Sequence, residues 1–545
     1  MIPGWDHEVD VVCVGSGIGG CATAMAARSA GLSVLIVEKT AELGGVTAHS
    51  GGQLWLPGSH HATQAGLADS VADGAGYITQ LAGVWADPDW TSQLLTNANE
   101  ALLFFEKEHG VRFALMKGQP DYYYPGVAHS LPEGRYLEPQ EFDVKSLGAW
   151  ADRLRRTPEQ RAGGVLGRTT DATDEDIVYT GAALAGYFLR GAIEAGAEIW
   201  TDSPVTGLAT ENGTVVGVHI DGGARSVRAR RGVVLATGAY DWNKEFQRRY
   251  EGALDEPGSL APEGITGDHL VFASAIGAAI RQMPPQRNVM TGGFPLGQTG
   301  EDGLPQYMIY WAAGPHEIVV NRAGERFADE SFYPAMQSGA HVFKAHAMHG
   351  NPNWPAWLIF DADYWSAKRR DQQPAPPADV IISAQTLAEL ADKVGIDADG
   401  LVASVDRFNA MCDTGRDDDF HRGEVFWVRA QLSLHPAFDP NQPVIGPIRR
   451  GPFYAAKLAR IHVGVASAGL EIDRSGRVLT LAGEAIKGLY AVGNSSGRND
   501  LGIALQSGLP NMRGMTYGYL AARHIAGKNS PDSVSSLLSE PVRMA

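Results

Sequence analysis

Six residues near the start of the chain, Gly15-Ser16-Gly17-Ile18-Gly19-Gly20, have the spacing of a turn that binds a dinucleotide. The G-x-G-x-x-G pattern supports this chemistry when a strand precedes it, a helix follows it and an acidic residue comes about 20 residues later. An apolar run at 9–14 precedes the turn, a pattern of small helix-forming residues follows it, and Glu38 lies eighteen residues after Gly20. The sequence therefore predicts a dinucleotide-binding βαβ unit.

Each glycine of this turn has a separate predicted role. Gly15 permits the tight turn, Gly17 lets the backbone approach a pyrophosphate, and Gly20 lets the helix pack on the strand. The free N–H groups and partial positive charge at the start of the helix would bind the phosphates. Glu38 would accept hydrogen bonds from ribose hydroxyls, and its charge would repel a 2′-phosphate.

The elements that must hold this turn predict an α/β fold. The second strand of the first unit is expected at 33–37; beyond this unit, strands are expected at 201–205, 215–220, 232–238 and 488–494, and a long helix is expected at 509–526. The composition changes between residues 281 and 449, where prolines cluster at 371–379 and a helical pattern covers 386–410. We expect this stretch to be a second, α+β domain inserted into the first. The Ser- and Pro-rich residues 527–545 are expected to form a flexible tail.

Charge and composition exclude several classes of function. The chain has 45 Lys+Arg against 62 Asp+Glu, a net charge of −17, and no basic block, so a nucleic-acid partner is not expected. The first ten residues lack a signal-peptide pattern, and no apolar run reaches the roughly 18 residues of a membrane span. With only 3 cysteines, the expectation is a soluble cytoplasmic protein without disulfides. The sequence leaves a homo-oligomer open.

Further motifs follow one another in an order that resembles a known family. They are Gly44-Gly45-Val46-Thr47, Ser50-Gly51-Gly52, Ala236-Thr237-Gly238, Thr266-Gly267-Asp268, the stretch from Asn321 to Glu330, Pro452-Phe453-Tyr454-Ala455, and the stretch from Gly488 to Asn494. Together with the first turn they resemble the fumarate-reductase-type flavoproteins and, within them, the 3-ketosteroid dehydrogenases. The resemblance implies FAD as cofactor and a Rossmann-type FAD-binding domain in two pieces, residues 1–280 and 450–526. The inserted residues 281–449 would then cap the substrate over the flavin.

The resemblance also assigns the residues that would contact FAD. They are Gly15, Gly17, Gly20, Glu38, Lys39, Gly44, Gly45, Thr47, Ser50, Gly51, Gly52, Val205, Ala236, Thr237, Gly238, Gly493, Asn494 and Leu509. No residue is assigned to a metal. In the sequence His60-His61 has no Cys or carboxylate partner that would indicate a metal site, and neither has the group His341, His346 and His349.

Dehydrogenation next to a ketone needs three functions. The carbonyl must be polarised, a base must remove the α-proton, and a flavin must accept a hydride from the next carbon. In the ketosteroid 1-dehydrogenases a glycine and a tyrosine hold the carbonyl. The corresponding residues here are Gly508 and Ala504, so the glycine is kept and the phenol is lost. This departure leaves open whether the substrate is a steroid or a smaller ring ketone.

The resemblance supplies tyrosines for the base. Tyr333 corresponds to the residue that abstracts the proton, and a supporting tyrosine lies in the run Tyr122-Tyr123-Tyr124, where Tyr124 is the first choice and Tyr122 the second. A phenol has an ordinary pKa near 10, so it needs a second donor or a cation to act as a base at neutral pH. A pair of tyrosines would meet this requirement.

The leading interpretation is an FAD-dependent desaturase of a cyclic ketone, reoxidised by an external electron acceptor. One alternative is an enoate reductase of the fumarate-reductase type, although the histidine pair and the arginine of those enzymes have no counterpart at 464–469 and 503–508. Another is a desaturase of a small oxo-cyclohexane carboxylate. Its carboxylate would be clamped by an arginine, for which Arg498 and Arg513 are the candidates.

Overall fold

The computed structural model describes residues 4–157, 164–165, 168–169, 176–252, 257–284, 290–300, 303–310, 312–340, 342, 350–367, 375–433 and 444–528. Residues 529–545 of the predicted tail lie outside this described part. His341, His346 and His349 also lie outside it.

The largest sheet has eight strands and forms the centre of the dinucleotide-binding part. Six of them follow the order Glu198–Trp200, Val34–Val37, His7–Val14, Arg225–Leu235, Thr214–Ile220 and Val205–Glu211. Ala485–Ala491 pairs with residues 233–235 at the C-terminal end of Arg225–Leu235, and Arg477–Leu479 pairs with Ala485–Ala491. Four strands pair in parallel at the centre of the sheet: Val34–Val37, His7–Val14, Arg225–Leu235 and Ala485–Ala491. They are buried on both faces where they pair, which explains the apolar runs at these positions.

Two helices pack against each other beside this sheet and join the two ends of the chain. They are Ile18–Ser29, which follows the glycine turn, and the C-terminal helix Leu509–Ile525. A Cβ atom at Gly518 would lie 2.7 Å from the carbonyl oxygen of Gly19, so this contact requires glycine. Other helices of this part are Gly45–His49, His60–Gln64, Val71–Ala82, Pro88–His109, Thr180–Glu194, Lys244–Glu251 and Asp268–Ser274.

A second part of the structure contains two four-stranded sheets with their own apolar cores. One has the order Gly258–Ser259, Ala459–His462, Met290–Thr299 and Pro305–Ile309, and the other Glu317–Val320, Trp357–Phe360, Phe453–Lys457 and Ile381–Ala384. Its helices are Tyr333–Ala340, Tyr364–Ala367, Leu387–Val394, Ala398–Thr414 and Phe426–Ser433. The predicted α/β class with a mixed second part is confirmed.

The structure differs from the predicted elements in several places. The helical pattern at 386–410 forms two helices because Gly395 ends the first in a left-handed conformation, with φ +75°. The strand expected at 201–205 begins at Val205 instead. Phe453–Lys457 and Ala459–His462 pair with strands of the inserted stretch, so a boundary at 449 would cut through both sheets. We therefore propose that the inserted domain ends after His462.

A small three-stranded sheet supports the tyrosine-rich segment. It consists of Leu54–Trp55, Tyr136–Pro139 and Phe113–Leu115. The guanidinium of Arg135 binds Asp69 and Asp121 at 2.8 Å each, and all three side chains are only 1% exposed. Asp121 also accepts a hydrogen bond from Trp55 Nε1 at 2.7 Å. This buried network fixes the backbone immediately before Tyr122.

We expect Arg135→Met to lower the free energy of unfolding by about 3–5 kcal/mol, because it leaves two buried carboxylates without their cation. Urea denaturation of the holoprotein measures the change. Arg407→Met is the matched control, since Arg407 pairs with Asp419 at the surface and its loss should leave the midpoint nearly unchanged. Equal midpoints for the two variants would contradict the structural role of Arg135.

Candidate functional site

The glycine turn has the shape of a phosphate cradle. Gly15 has φ +108°, and a Cβ there would lie 2.4 Å from the carbonyl oxygen of Ala236. A Cβ at Gly20 would lie 1.9 Å from the carbonyl oxygen of Gly15. At Gly17, by contrast, the nearest atom to a Cβ would be Thr47 Oγ1 at 3.6 Å. Gly15 and Gly20 are thus required by the fold, whereas Gly17 borders open space at the start of a helix, as a bound pyrophosphate requires.

Glu38 lies at the end of the second strand and is 9% exposed. One carboxylate oxygen accepts hydrogen bonds from the backbone N–H of Ser16 at 3.1 Å and from its hydroxyl at 2.6 Å. The other accepts from the backbone N–H of Thr40 at 3.1 Å. These donors hold the carboxylate next to the glycine turn, which is where a ribose would lie. Lys39, which the resemblance also assigned to FAD, instead binds Asp268 at 3.0 Å.

The segment from Gly44 to Gly52 lies against the glycine turn. Gly45 has φ +50°, and a Cβ there would lie 3.6 Å from the Cα of Gly17. The hydroxyl of Thr47 accepts the N–H of Ile18 at 3.1 Å. The hydroxyl of Ser50 donates to the Thr47 carbonyl at 2.8 Å and accepts from Asn511 at 3.1 Å. Asn511 belongs to the C-terminal helix and was not singled out from the sequence.

The remaining predicted FAD residues lie at the ends of two neighbouring strands. The N–H of Gly238 donates to the hydroxyl of Ser495 at 3.1 Å, and the amide of Asn494 donates to the carbonyl of Gly464 at 2.6 Å. The hydroxyl of Thr237 is 2.8 Å from Nδ1 of His269. Burial lowers the pKa of His269 to about 4, so its ring is neutral at pH 7. His269 carries no motif signal and was missed.

Val205 and Leu509 are both buried, at the start of an outer strand and at the start of the C-terminal helix respectively.

Two tyrosines from distant parts of the chain meet in a pair, in which Tyr122 is buried and Tyr333 is half-buried. The hydroxyl of Tyr122 is hydrogen-bonded to the hydroxyl of Tyr333, the first residue of the helix Tyr333–Ala340. Burial raises the pKa of Tyr122 to about 12 and raises the pKa of Tyr333 well above its ordinary value. Tyr124, the first choice from the sequence, packs against Phe426 instead, with 5.4 Å between the two ring centroids. The structure thus brings Tyr122, and not Tyr124, to Tyr333.

Gly508 lies beside this tyrosine pair, at the start of the C-terminal helix. Its neighbour Ser507 is hydrogen-bonded to the hydroxyl of Tyr122. Gly508 has φ +85°, and a Cβ there would lie 2.5 Å from the backbone nitrogen of Trp55. Any larger residue would therefore displace the Leu54–Trp55 strand, and a valine at this position would disturb the fold rather than block a substrate alone. Ala504 is buried and brings no polar side chain.

Gln506 connects the tyrosine segment to the loop before Gly508. Its carbonyl accepts hydrogen bonds from the hydroxyl of Tyr77 at 3.0 Å and from the N–H of Tyr122 at 3.4 Å, and its amide donates to the hydroxyl of Tyr136. The side chain is completely buried. No motif pointed to Gln506, because its role depends on contacts more than 350 residues apart in the chain.

Both arginines considered for a carboxylate clamp have partners within the protein. Arg513 binds Asp500 at 2.7 Å and the carbonyl oxygen of Gly493 at 2.7 Å, and Arg498 donates to the carbonyl of Ala504. Both side chains are buried, 2% and 8% exposed. Their guanidinium groups stabilise the backbone of the 493–504 loop and are not available to hold a substrate carboxylate.

His60 and His61 do have a carboxylate partner, contrary to the sequence argument. Nε2 of His60 and of His61 lie 3.0 and 2.7 Å from the two oxygens of Glu106. Burial alone would raise the pKa of Glu106, but the hydrogen bonds from both rings outweigh it and lower the pKa. The sequence could not show this pairing because Glu106 lies on a different helix, Pro88–His109.

Within the described part of the chain, no helix combines the length and the apolar character needed to cross a membrane.

Comparison with known proteins agrees with this site. Residues 10–502 match the family described as the FAD binding domain. The chain is 33% identical to a 3-oxosteroid 1-dehydrogenase of Mycobacterium tuberculosis, over 95% of this chain and 98% of that protein. It is 34% identical to a 4-oxocyclohexanecarboxylate 2-dehydrogenase of Sinomonas cyclohexanicum, over 95% of this chain and 93% of that protein.

A solved structure supports the same relationship. The 3-ketosteroid Δ1-dehydrogenase of Sterolibacterium denitrificans, solved in complex with 1,4-androstadiene-3,17-dione, superimposes with a TM-score of 0.82. It is 27% identical, and the match covers 96% of this chain and 100% of that one. The fold, the open cradle at Gly17 and the family match agree on the cofactor. The chain belongs to the FAD binding domain family and is an FAD-dependent oxidoreductase.

Proposed function

We propose that this protein desaturates a cyclic ketone, introducing a C=C bond between the α- and β-carbons of the carbonyl. The observation that carries this proposal is the hydrogen-bonded hydroxyl pair of Tyr122 and Tyr333 beside the helix start at Gly508. The relatives named for 3-oxosteroids and for 4-oxocyclohexanecarboxylate support a ring ketone as substrate. They leave the size of the ring open between a steroid and a single ring.

In the proposed mechanism each residue has one task. The N–H of Gly508 polarises the ketone oxygen, which acidifies the α-proton. Tyr333, as its phenolate, removes this proton and becomes a neutral phenol; before the transfer Tyr122 stabilises the phenolate through the shared hydrogen bond. FAD, when bound, accepts the hydride that leaves the β-carbon. An external electron acceptor would then reoxidise the flavin. We further propose a cytoplasmic location and leave open assembly into a homo-oligomer.

Burial raises the pKa of both tyrosines. The proposed reaction therefore requires that the N–H of Gly508 polarise the ketone oxygen. A phenol with a pKa near 12 is rarely ionised at neutral pH, and a buried pair shares few charge-stabilising neighbours. Proton removal must therefore be assisted at the ketone oxygen. The helix start supplies this assistance because its N–H groups have no partner within the helix.

The anaerobic reaction with ketones tests the proposed function. Saturated cyclic ketones, a 3-oxosteroid and 4-oxocyclohexanecarboxylate among them, should bleach the oxidised flavin absorbance. Tyr333→Phe and Tyr122→Phe should each slow this bleaching by at least about 100-fold while FAD stays bound, whereas Tyr124→Phe should change it little. Reoxidation of reduced flavin by enones or enoates, with no bleaching by any ketone, would favour the reductase and contradict our proposal.

The bleaching rate should also depend on pH. A base with a raised pKa is active only in its ionised form, whose fraction grows with pH below that pKa. We therefore expect the rate of flavin reduction to rise about tenfold per pH unit between about pH 7 and 9 in stopped-flow experiments. A rate that levels off below pH 8 would exclude the tyrosine pair as the base.

Gly17→Val should abolish FAD binding without unfolding the protein. A Cβ at Gly17 would have Thr47 Oγ1 at 3.6 Å as its nearest protein atom, so there is room for it in the space assigned to the pyrophosphate. The purified variant should keep its circular dichroism spectrum and lose the flavin absorbance. Gly207→Val is the matched control, because a Cβ there meets only the His219 ring at 3.9 Å. Full flavin content in Gly17→Val would contradict the cradle assignment.

A further inference from the structure

Trp427 packs directly against the tyrosine pair. It lies on the helix Phe426–Ser433, and its side chain is 5% exposed. Its ring centroid is 4.7 Å from that of Tyr122 and 5.6 Å from that of Tyr333, in edge-to-face arrangements. The indole therefore belongs to the wall of the site where the proposed reaction takes place.

The indole N–H of Trp427 is buried and has no hydrogen-bond partner in the described part of the chain. Other tryptophans of this protein do have one. Trp55 Nε1 donates to Asp121, Trp90 Nε1 donates to Tyr517, and Trp242 Nε1 donates to the Ala261 carbonyl. A buried donor without a partner carries the full cost of its desolvation, so folded proteins pair most such donors with protein atoms, water or a ligand.

The chemistry of the site identifies the missing acceptor. Removal of the α-proton places negative charge on the ketone oxygen, and such an oxygen is best stabilised by more than one donor. The N–H of Gly508 is one donor in the proposed mechanism, and Ala504 offers no polar side chain. The ketone oxygen is bonded to the carbon next to the one that Tyr333 deprotonates, which brings it close to the indole packed on Tyr333.

We propose that Nε1 of Trp427 donates a hydrogen bond to the ketone oxygen of the substrate. This assignment rests on the proposed function. In the step concerned, the proton moves from the α-carbon to the phenolate oxygen of Tyr333, which becomes a neutral phenol, and the C–H electron pair moves into the enolate. The N–H bond of Trp427 stays intact, and its hydrogen bond strengthens as the oxygen becomes negative.

A phenol probe reports on this hydrogen bond without turnover. 4-Nitrophenol is planar, and its phenolate resembles an enolate with charge on an oxygen bonded to an sp² carbon. Donors at that oxygen lower the pKa of the bound probe, which is read from the long-wavelength absorbance of the phenolate. In Trp427→Phe the bound probe should titrate about one pH unit higher than in the wild type. Flavin reduction by the ketone should fall about 10- to 100-fold, with FAD content unchanged.

Two controls keep the result unambiguous. Trp85→Phe removes an exposed indole, 38% accessible, and should change neither the titration nor the rate. If Trp427→Phe loses FAD, benzothienylalanine at position 427 preserves the bicyclic shape without the N–H and should give the same two changes.

The outcomes separate the two proposals. An unchanged probe titration and an unchanged rate, in a wild type that ketones do reduce, would overturn the role of Trp427 alone. A wild type that no ketone reduces would overturn the proposed function itself.

Discussion

The hydrogen bond between Tyr122 and Tyr333 joins two segments that lie 211 positions apart in the sequence. Tyr122 follows Asp121, which Arg135 and Trp55 hold in a buried network, and Gln506 binds its backbone N–H. Tyr333 begins a helix of the second part of the structure. The hydrogen bond between the two hydroxyls therefore joins this second part to the dinucleotide-binding part. This contact makes the site a property of the whole fold rather than of either domain.

The cofactor site also depends on contacts between distant segments, whose backbones pack closely against one another. Gly15, Gly20 and Gly508 each face a backbone atom that would lie within 2.5 Å of an added Cβ. Because these glycines have no side chain, the glycine turn can pack on the end of the Ala236 strand, and the C-terminal helix can pack on the Leu54–Trp55 strand. Gly17, whose missing side chain meets no such neighbour, is left for the ligand. The distinction separates glycines needed for folding from a glycine needed for binding.

The sequence predicted the parts of the protein that rest on local patterns. The βαβ unit, Glu38 and the long C-terminal helix follow from periodicity and spacing, and the structure has all of them. Contacts between distant residues could not be predicted in this way. The choice between Tyr122 and Tyr124, which differ by two positions, depends on which side chain reaches Tyr333 and which packs on Phe426. Gln506, His269 and Trp427 carry no motif, and their roles appear only when burial and partners are known.

The partners of the two candidate clamp arginines could not be predicted for a related reason. Residue type alone could not distinguish a guanidinium facing a substrate from one that binds backbone carbonyls, as Arg513 does. The carboxylate partner of His60 and His61 was missed because Glu106 is brought to them by helix packing. In each case the charge was visible in the sequence and its partner was not.

Hydrogen exchange at the ketone α-carbon tests the central claim most directly. When the flavin is reduced beforehand, hydride transfer is blocked, but Tyr333 can still remove and return the α-proton. In D₂O, nuclear magnetic resonance should then show deuterium entering the α-position of a cyclic ketone faster with the wild type than without enzyme, and not with Tyr333→Phe. Equal incorporation with both proteins, or none with the wild type, would contradict the tyrosine pair as the base.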